Sequence, residues 1–290
     1  MKVLIAGGSG FLGSALSASL RLDGHNITTV TRHPKVHDQV PWTDLPMLID
    51  DIDVVVNLAG EPLDAGRWTD ARKASILESR VKATNAIVKA MSTVTRRPPV
   101  FLNASAMGFY GARGDDAVTE DSPSGSDFLA SVCVAWEEAA MAAAWMTRVV
   151  LLRTGLVLDR SAGALPKLAL PFRLFAGGRV GTGNQYWSWI HREDWVRMVR
   201  WAIDSVAVTG PLNLTAPSPV TNREFTRALA RALHRPSLAP APVFALRLML
   251  GEMADAMILN GRRVLPAKAT TNGFEFRYPD LDSALRQIYQ

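Results

Sequence analysis

The stretch Val3-Leu4-Ile5-Ala6-Gly7-Gly8-Ser9-Gly10-Phe11-Leu12-Gly13 decides the fold. It opens with a short, wholly apolar run, as expected of a parallel strand buried on both faces. Glycines follow at once, and Leu12, Ala15, Leu16 and Leu20 then recur at helical spacing up to about Gly24. Strand, glycine turn and helix in that order form the phosphate-binding start of a dinucleotide fold. Gly7 permits the tight turn, Gly10 lets the backbone approach a pyrophosphate, and Gly13 allows close packing of helix on strand. The free amides of Phe11, Leu12 and Gly13 at the helix start then face the phosphates.

Outward from this unit, strands and helices alternate. Ile27 to Thr31, Asp53 to Leu58, Val100 to Ala104 and Val149 to Arg153 read as strands. Thr69 to about Thr95 and the alanine-rich Phe128 to about Trp145 read as helices. This alternation predicts an α/β fold, a Rossmann-type doubly wound parallel sheet with a small C-terminal lobe. Beyond Leu158 the pattern changes: glycines at 177, 178, 181 and 183 mark an irregular loop, and Pro211 to Leu214 reads as a returning strand. Asn222 is expected to cap a helix through Leu233, and a last helix is expected from Phe244 to about Leu259. The expected division is 1–165 with 186–215 as the dinucleotide-binding domain, and 166–185 with 216–290 as the small lobe.

The composition fits a folded globular protein. Of 290 residues, 48% are hydrophobic and 20% charged, which excludes intrinsic disorder. The single cysteine, Cys133, excludes an internal disulfide and a cysteine-rich zinc site, and the five histidines are not spaced as metal ligands. A formal charge of +5 comes from scattered basic residues without aromatic interleaving, so no nucleic-acid partner is expected. No uncharged apolar run is long enough for a membrane helix, and the first residues lack a signal-peptide pattern. The expectation is a cytoplasmic protein, monomer or homodimer, with a small-molecule substrate and no bound metal.

The spacing Gly-x-x-Gly-x-x-Gly resembles the short-chain dehydrogenase/reductase family. Asn57-Leu58-Ala59-Gly60 and Trp189-Ile190-His191-Arg192-Glu193-Asp194 are similar to segments of its extended subgroup, the NAD(P)-dependent epimerase/dehydratases. Further stretches resemble the "epimerase family protein" branch, which carries a C-terminal domain of unknown function. These are Gly60-Glu61-Pro62, Arg67-Trp68-Thr69, Ser79-Arg80, Leu152-Arg153-Thr154-Gly155, Gly177-Gly178 through Gln185, and Pro219-Val220-Thr221-Asn222. That branch has no well-assigned reaction. The resemblance implies that Leu58, Ala59 and Gly60 border the adenosine and that Arg80 faces the cofactor.

An NAD-binding fold places Asp or Glu at the end of its second strand, on the ribose 2′-hydroxyl. Here that strand ends in Thr31-Arg32-His33-Pro34, with no carboxylate. A guanidinium at Arg32 suits a 2′-phosphate, and Thr31 adds a hydroxyl or backbone contact. NADP(H) is therefore the expected cofactor; a solvated surface role for Arg32 is the alternative. Leu156 would sit at a strand's carboxyl end, beside the ligand or in the core.

The resemblance also implies a Tyr-x-x-x-Lys relay preceded by Ser or Thr. Ser105 and Tyr110 lie in the segment that resembles the Ser/Thr-bearing strand end, although the ungapped Ser/Thr position falls on Ala106. Aligned on Glu137, the tyrosine position holds Leu129 and the lysine position Cys133, so the ordinary relay is absent. Ser105 and Tyr110 remain candidate catalytic groups, and Ser105 a candidate cofactor contact. His191 is either a relocated acid or a structural residue. Arg153, Gln185 and Trp189 are expected nearest the substrate. Trp68, Trp187, Phe172 and Phe175 either join them in an apolar pocket or pack the lobe. Two functions stay open: an NADPH-linked oxidoreductase or isomerase, and a non-catalytic NADP(H) sensor.

Overall fold

The computed structural model describes residues 1–237 and 240–290. The strands in chain order are β1 (Lys2–Ala6), β2 (Asn26–Val30), β3 (Gln39–Val40), β4 (Val54–Asn57), β5 (Val100–Ala106), β6 (Ala117–Val118), β7 (Arg148–Thr154), β8 (Leu156–Leu158), β9 (Tyr186–Trp187), β10 (Trp189–His191), β11 (Gly210–Leu214), β12 (Val220–Thr221) and β13 (Arg263–Val264). The helices are α1 (Phe11–Leu22), α2 (Leu45–Leu48), α3 (Asp70–Ser92), α4 (Phe128–Met141), α5 (Leu165–Arg173), α6 (Arg192–Asp204), α7 (Asn222–Leu233), α8 (Val243–Leu250), α9 (Glu252–Ala254), α10 (Ala267–Thr271) and α11 (Leu281–Tyr289).

Seven strands form one sheet in the order β11-β7-β5-β4-β1-β2-β3, with every pairing parallel. The order turns about β1 and β4, the switch point at which ligands of open α/β sheets bind, at the strands' carboxyl ends. Each face carries its own core. Ile5, Val56, Leu102 and Leu152 pack with Leu16, Trp195 and Val199 on one face, whereas Leu4, Val55, Phe101 and Leu151 pack with Ile87 and Met91 on the other. A third core gathers Phe172, Trp187, Trp189, Phe225 and Leu285 from α5, α7, α11 and the short strands β9 and β10. Among the described residues, no helix is long and apolar enough to cross a membrane, and no three His, Cys, Asp or Glu side chains converge as a metal site.

Two expected boundaries shift for local reasons. The cap of α7 is Thr221, not Asn222: the Thr221 hydroxyl accepts from the Glu224 amide and the Glu224 carboxylate accepts from the Thr221 amide. Asn222 is buried instead, and its Oδ1 accepts from the Val180 amide at 2.7 Å. The helix expected over 244–259 breaks at Gly251, whose φ of +61° ends α8, and the chain continues through α9 into one π-helical turn at Asp255–Leu259.

His191 closes β10 and caps α6. Its Nδ1 accepts from the Glu193 amide at 3.1 Å while Nε2 faces the Gln287 Oε1 at 2.9 Å, which fixes a neutral ring with the proton on Nε2. Burial holds its pKa below the ordinary 6.5 against the pull of Asp194 and Glu193. The unfolded chain therefore binds a proton that the folded chain refuses. The stability His191 contributes is complete above pH 6.5 and is lost as pH falls below that value toward the folded pKa. Thermal unfolding followed from pH 7.5 to 5 is expected to show Tm falling through this window, and His191→Gln is expected to flatten the fall.

Candidate functional site

The carboxyl edge of the sheet at β1 is shaped by backbone contact. Gly7 has a φ of +78°, and any side chain there would come within 2.8 Å of the Leu58 carbonyl. At Gly13 the first side-chain carbon would stand 2.4 Å from the Gly7 carbonyl oxygen. The turn closes with Gly10 donating to Gly7 and Ser14 donating to Gly10, and Gly10 offers α1 no side-chain cap. The amides of Phe11, Leu12 and Gly13 thus begin α1 with its positive dipole end open to an anion. Phe11 and Leu12 pack their side chains on the core below, and Gly163 lies against the Phe11 ring.

The neighbouring loop after β4 is held from beneath. Asn57, at the end of β4, and Asn103, in the middle of β5, are paired in register and both fully buried. The Asn57 Nδ2 donates to the Asn103 Oδ1 at 2.7 Å and to the Thr84 hydroxyl at 2.9 Å, while its Oδ1 accepts from the Ala59 amide at 3.1 Å. Trp136 Nε1 donates to the same Thr84 hydroxyl at 3.0 Å. Arg80 donates to the Ile76 and Glu61 carbonyls and lies over the Trp136 ring, with its stem against Gly60. These bonds join α3 to the chain at Glu61, directly after Leu58-Ala59-Gly60. At the end of β2, Thr31 is half-buried and Arg32 exposed, and no side chain among the described residues pairs with the Arg32 guanidinium. The glycine turn and the uncapped helix start leave backbone amides open to an anionic group at this edge, and Arg32 stands exposed at the end of β2.

The other half of the edge, at β5 and β7, is occupied by a buried polar network. Arg153 is 4% exposed and meets Glu137 through two bonds, Nε to Oε1 and Nη2 to Oε2, each 2.8 Å. The Ser105 hydroxyl donates to the same Glu137 Oε1 at 2.6 Å. Arg153 Nη1 donates to the Tyr110 hydroxyl at 3.0 Å, and that hydroxyl donates to the Asn213 Oδ1 at 2.6 Å. The guanidinium also lies 3.5 Å from the centre of the Phe109 ring. Burial presses its pKa down, but the hydrogen bond and field of Glu137 hold it above the ordinary value, so the guanidinium stays charged. Burial pushes the Tyr110 hydroxyl up to about 12.

Leu129, Cys133 and Glu137 stand one turn apart on one face of α4. Leu129 and Cys133 pack on Gly108, just past the end of β5, and the Cys133 Sγ lies 3.7 Å from the Ala106 carbonyl. Burial, then the Glu137 charge, lift the thiol's pKa to about 11, leaving it protonated and inert at neutral pH. The face that resemblance assigns to a tyrosine and a lysine thus carries a leucine and a dormant thiol, followed by a carboxylate tied to Arg153.

The structure brings Ser105 and Tyr110, expected as catalytic candidates, together with Arg153, expected near the substrate, in one buried cluster. Arg153 faces Glu137, not open space, and Tyr110 has no exposed surface. Trp189 is also fully enclosed, its Nε1 donating to the Ser218 carbonyl. Gln185 Nε2 donates to the Val180 and Ile258 carbonyls and so ties two loops together. Leu156 leaves the main sheet, pairs with Trp189 through β8 and β10, and packs on the third core. The aromatic side chains do not share one pocket: Trp187 packs on Phe225, Trp68 on Phe128, and Phe175 is 66% exposed. Glu137, Asn57, Asn103 and Thr84 were not foreseen. The signal for Glu137 was Arg153 itself, a charge within an apolar strand that requires a buried partner.

The sequence profile of the NAD dependent epimerase/dehydratase family matches residues 3–214. This chain belongs to that family. A domain of unknown function matches residues 241–288. The epimerase family protein YfhF of Bacillus subtilis strain 168 is 40% identical over 299 residues, spanning 99% of this chain and 98% of its own. The crystal structure of human epimerase family protein SDR39U1, isoform 2, with NADPH superposes with a TM-score of 0.94 at 33% identity, covering 100% of this chain and 99% of that one. A nucleoside-diphosphate sugar epimerase from Corynebacterium glutamicum gives a TM-score of 0.82 at 34% identity, with all of this chain covering 58% of that protein.

Two outcomes test this geometry. Arg153→Met strips the buried Glu137 of its partner and is expected to cost ~3–5 kcal/mol in urea unfolding, whereas Glu137→Leu with Arg153→Met costs less than the single change. In the native protein Cys133 is expected to resist iodoacetamide at pH 8 and to alkylate fully once urea exposes it, read by intact mass.

Proposed function

We propose that the chain is an NADP(H)-dependent oxidoreductase acting on a small molecule that accepts hydride without a proton from a tyrosine–lysine pair. The observation that carries the cofactor choice is Arg32, exposed at the end of β2 with neither a carboxylate beside it in the sequence nor a described side-chain partner. The human relative of 33% identity crystallised with NADPH supports the same reading. Gly7, Gly10 and Gly13 would admit the pyrophosphate, the amides of Phe11, Leu12 and Gly13 would bind it, and Leu58, Ala59 and Gly60 would border the adenosine. Thr31 and Arg32 would hold the 2′-phosphate. Bound there, the reduced cofactor supplies a hydride.

The chain's own contribution to proton movement is restrained. The Ser105 proton is committed to Glu137, Tyr110 is enclosed with a pKa near 12, and Cys133 stays a neutral thiol. An acceptor that takes its proton from water, such as a quinone, a flavin or an activated enone, suits this site better than an alcohol or sugar carbon. The same locked groups favour a second reading, a non-catalytic NADP(H) sensor.

Arg32→Ala is expected to weaken NADPH binding by ~1–3 kcal/mol, the scale of lost charged hydrogen bonds, and to leave NADH binding nearly unchanged. Fluorescence titration of both cofactors checks this, and equal losses for the two would refute the 2′-phosphate assignment. NADPH oxidation with quinones, flavins and enones separates the two readings: turnover supports the oxidoreductase, and tight binding with none across all three supports the sensor.

A further inference from the structure

α7 carries an unusual burden of positive charge. Arg223 and Arg227 stand one turn apart in its first two turns, where the helix dipole is itself positive. Like charges at this spacing destabilise a helix. The one acidic residue of α7, Glu224, gives its carboxylate to the Thr221 amide and hydroxyl, not to an arginine. Further along the same stripe, Arg231 pairs with Asp282, which shows that this surface supplies a partner where one is needed.

Arg179, from the loop between α5 and β9, faces these two across a depression of about 250 Å³ that Thr226, Ser237 and Pro240 complete. Two of the three guanidiniums are already held in place. Arg179 Nη1 donates to the Gly181 and Thr182 carbonyls, and Arg223 Nη2 donates to the Thr182 carbonyl at 3.0 Å and to the Asn184 Oδ1 at 3.3 Å. These bonds fix position without cancelling charge. Among the described residues, no carboxylate forms an ion pair with Arg179, Arg223 or Arg227.

We propose that Arg179, Arg223 and Arg227 form a second anion site that takes the phosphate group of a small molecule, independent of the glycine turn. Guanidiniums match phosphate oxygens with paired donors, and two of them fixed beforehand lose less freedom on binding. Among the described residues the depression is bounded by the three arginines and by Thr226, Ser237 and Pro240, and it admits a compact ligand group, not a polymer.

Inorganic pyrophosphate is the probe. It is titrated calorimetrically into the full chain, with and without saturating NADPH, at constant ionic strength. The site predicts saturable 1:1 binding in both conditions, weakened by about tenfold or more in Arg227→Gln and in Arg179→Gln, the scale of a lost charge-assisted hydrogen bond. Without anion, Arg227→Gln is expected to melt no lower than the parent chain, since a like-charge contact is relieved; pyrophosphate is expected to raise Tm in the parent and not in the variant. Binding that NADPH abolishes, binding that survives both substitutions, or no saturable binding overturns the proposal. Equal or tighter competition by a short DNA duplex, with a steep salt dependence, overturns it in favour of a polyanion surface.

Discussion

The Glu137–Arg153 ion pair is the constraint on which one half of the ligand-binding edge depends. Two charges removed from water are tolerated only when each is fully met by opposite charge and hydrogen bonds. Here Glu137 takes two bonds from Arg153 and one from Ser105, and the remaining guanidinium nitrogen reaches Tyr110 and the Glu120 carbonyl. The network then runs outward. Tyr110 holds Asn213 on β11, and Asn213 in turn binds the Glu120 carboxylate and the Leu265 carbonyl. Lys268, on α10, binds Glu120 through its amide. A single pair therefore fastens α4, three strands and the segment leading into the C-terminal helices.

That fastening explains why the site divides into two unlike parts. Around β1 and β4 the chain removes side chains and exposes amides, and a small amide–hydroxyl network under Ala59 keeps the loop in place. This half is the one proposed to receive a dinucleotide. Around β5 and α4 the side chains of Ser105, Tyr110, Glu137 and Arg153 already have partners within the protein. Proton transfer through such groups would require breaking a buried pair, a large cost for a catalytic step, which is why the proposed chemistry draws its proton from water.

The legibility of these two halves differs for a physical reason. The strand–turn–helix at residues 3–20 announces itself because backbone geometry demands glycine at fixed offsets and burial demands unbroken apolar strands. The parallel sheet and its switch point followed from that alternation. The short strands β6, β9, β12 and β13 were not legible, since two residues carry no periodicity. Arg153 was visible as a charge in an apolar strand, but its partner sits 16 residues away on a helix, and nothing local in an alanine-rich stretch marks Glu137 as buried. Arg80, Gln185 and Trp189 were read as ligand contacts, and each donates to backbone carbonyls; polar or aromatic character alone does not reveal such internal bonds. The break at Gly251 was hidden by an apolar pattern that runs straight through it.

Arg32 at the end of β2 is proposed to select a dinucleotide carrying a 2′-phosphate. Calorimetric titration of the unmodified chain with NADPH and with NADH, at one ionic strength, tests it most directly. Saturable binding of NADPH about tenfold or more tighter than NADH is the predicted result, the scale of a charged hydrogen bond gained at Arg32. Equal affinities, or a preference for NADH, would contradict it.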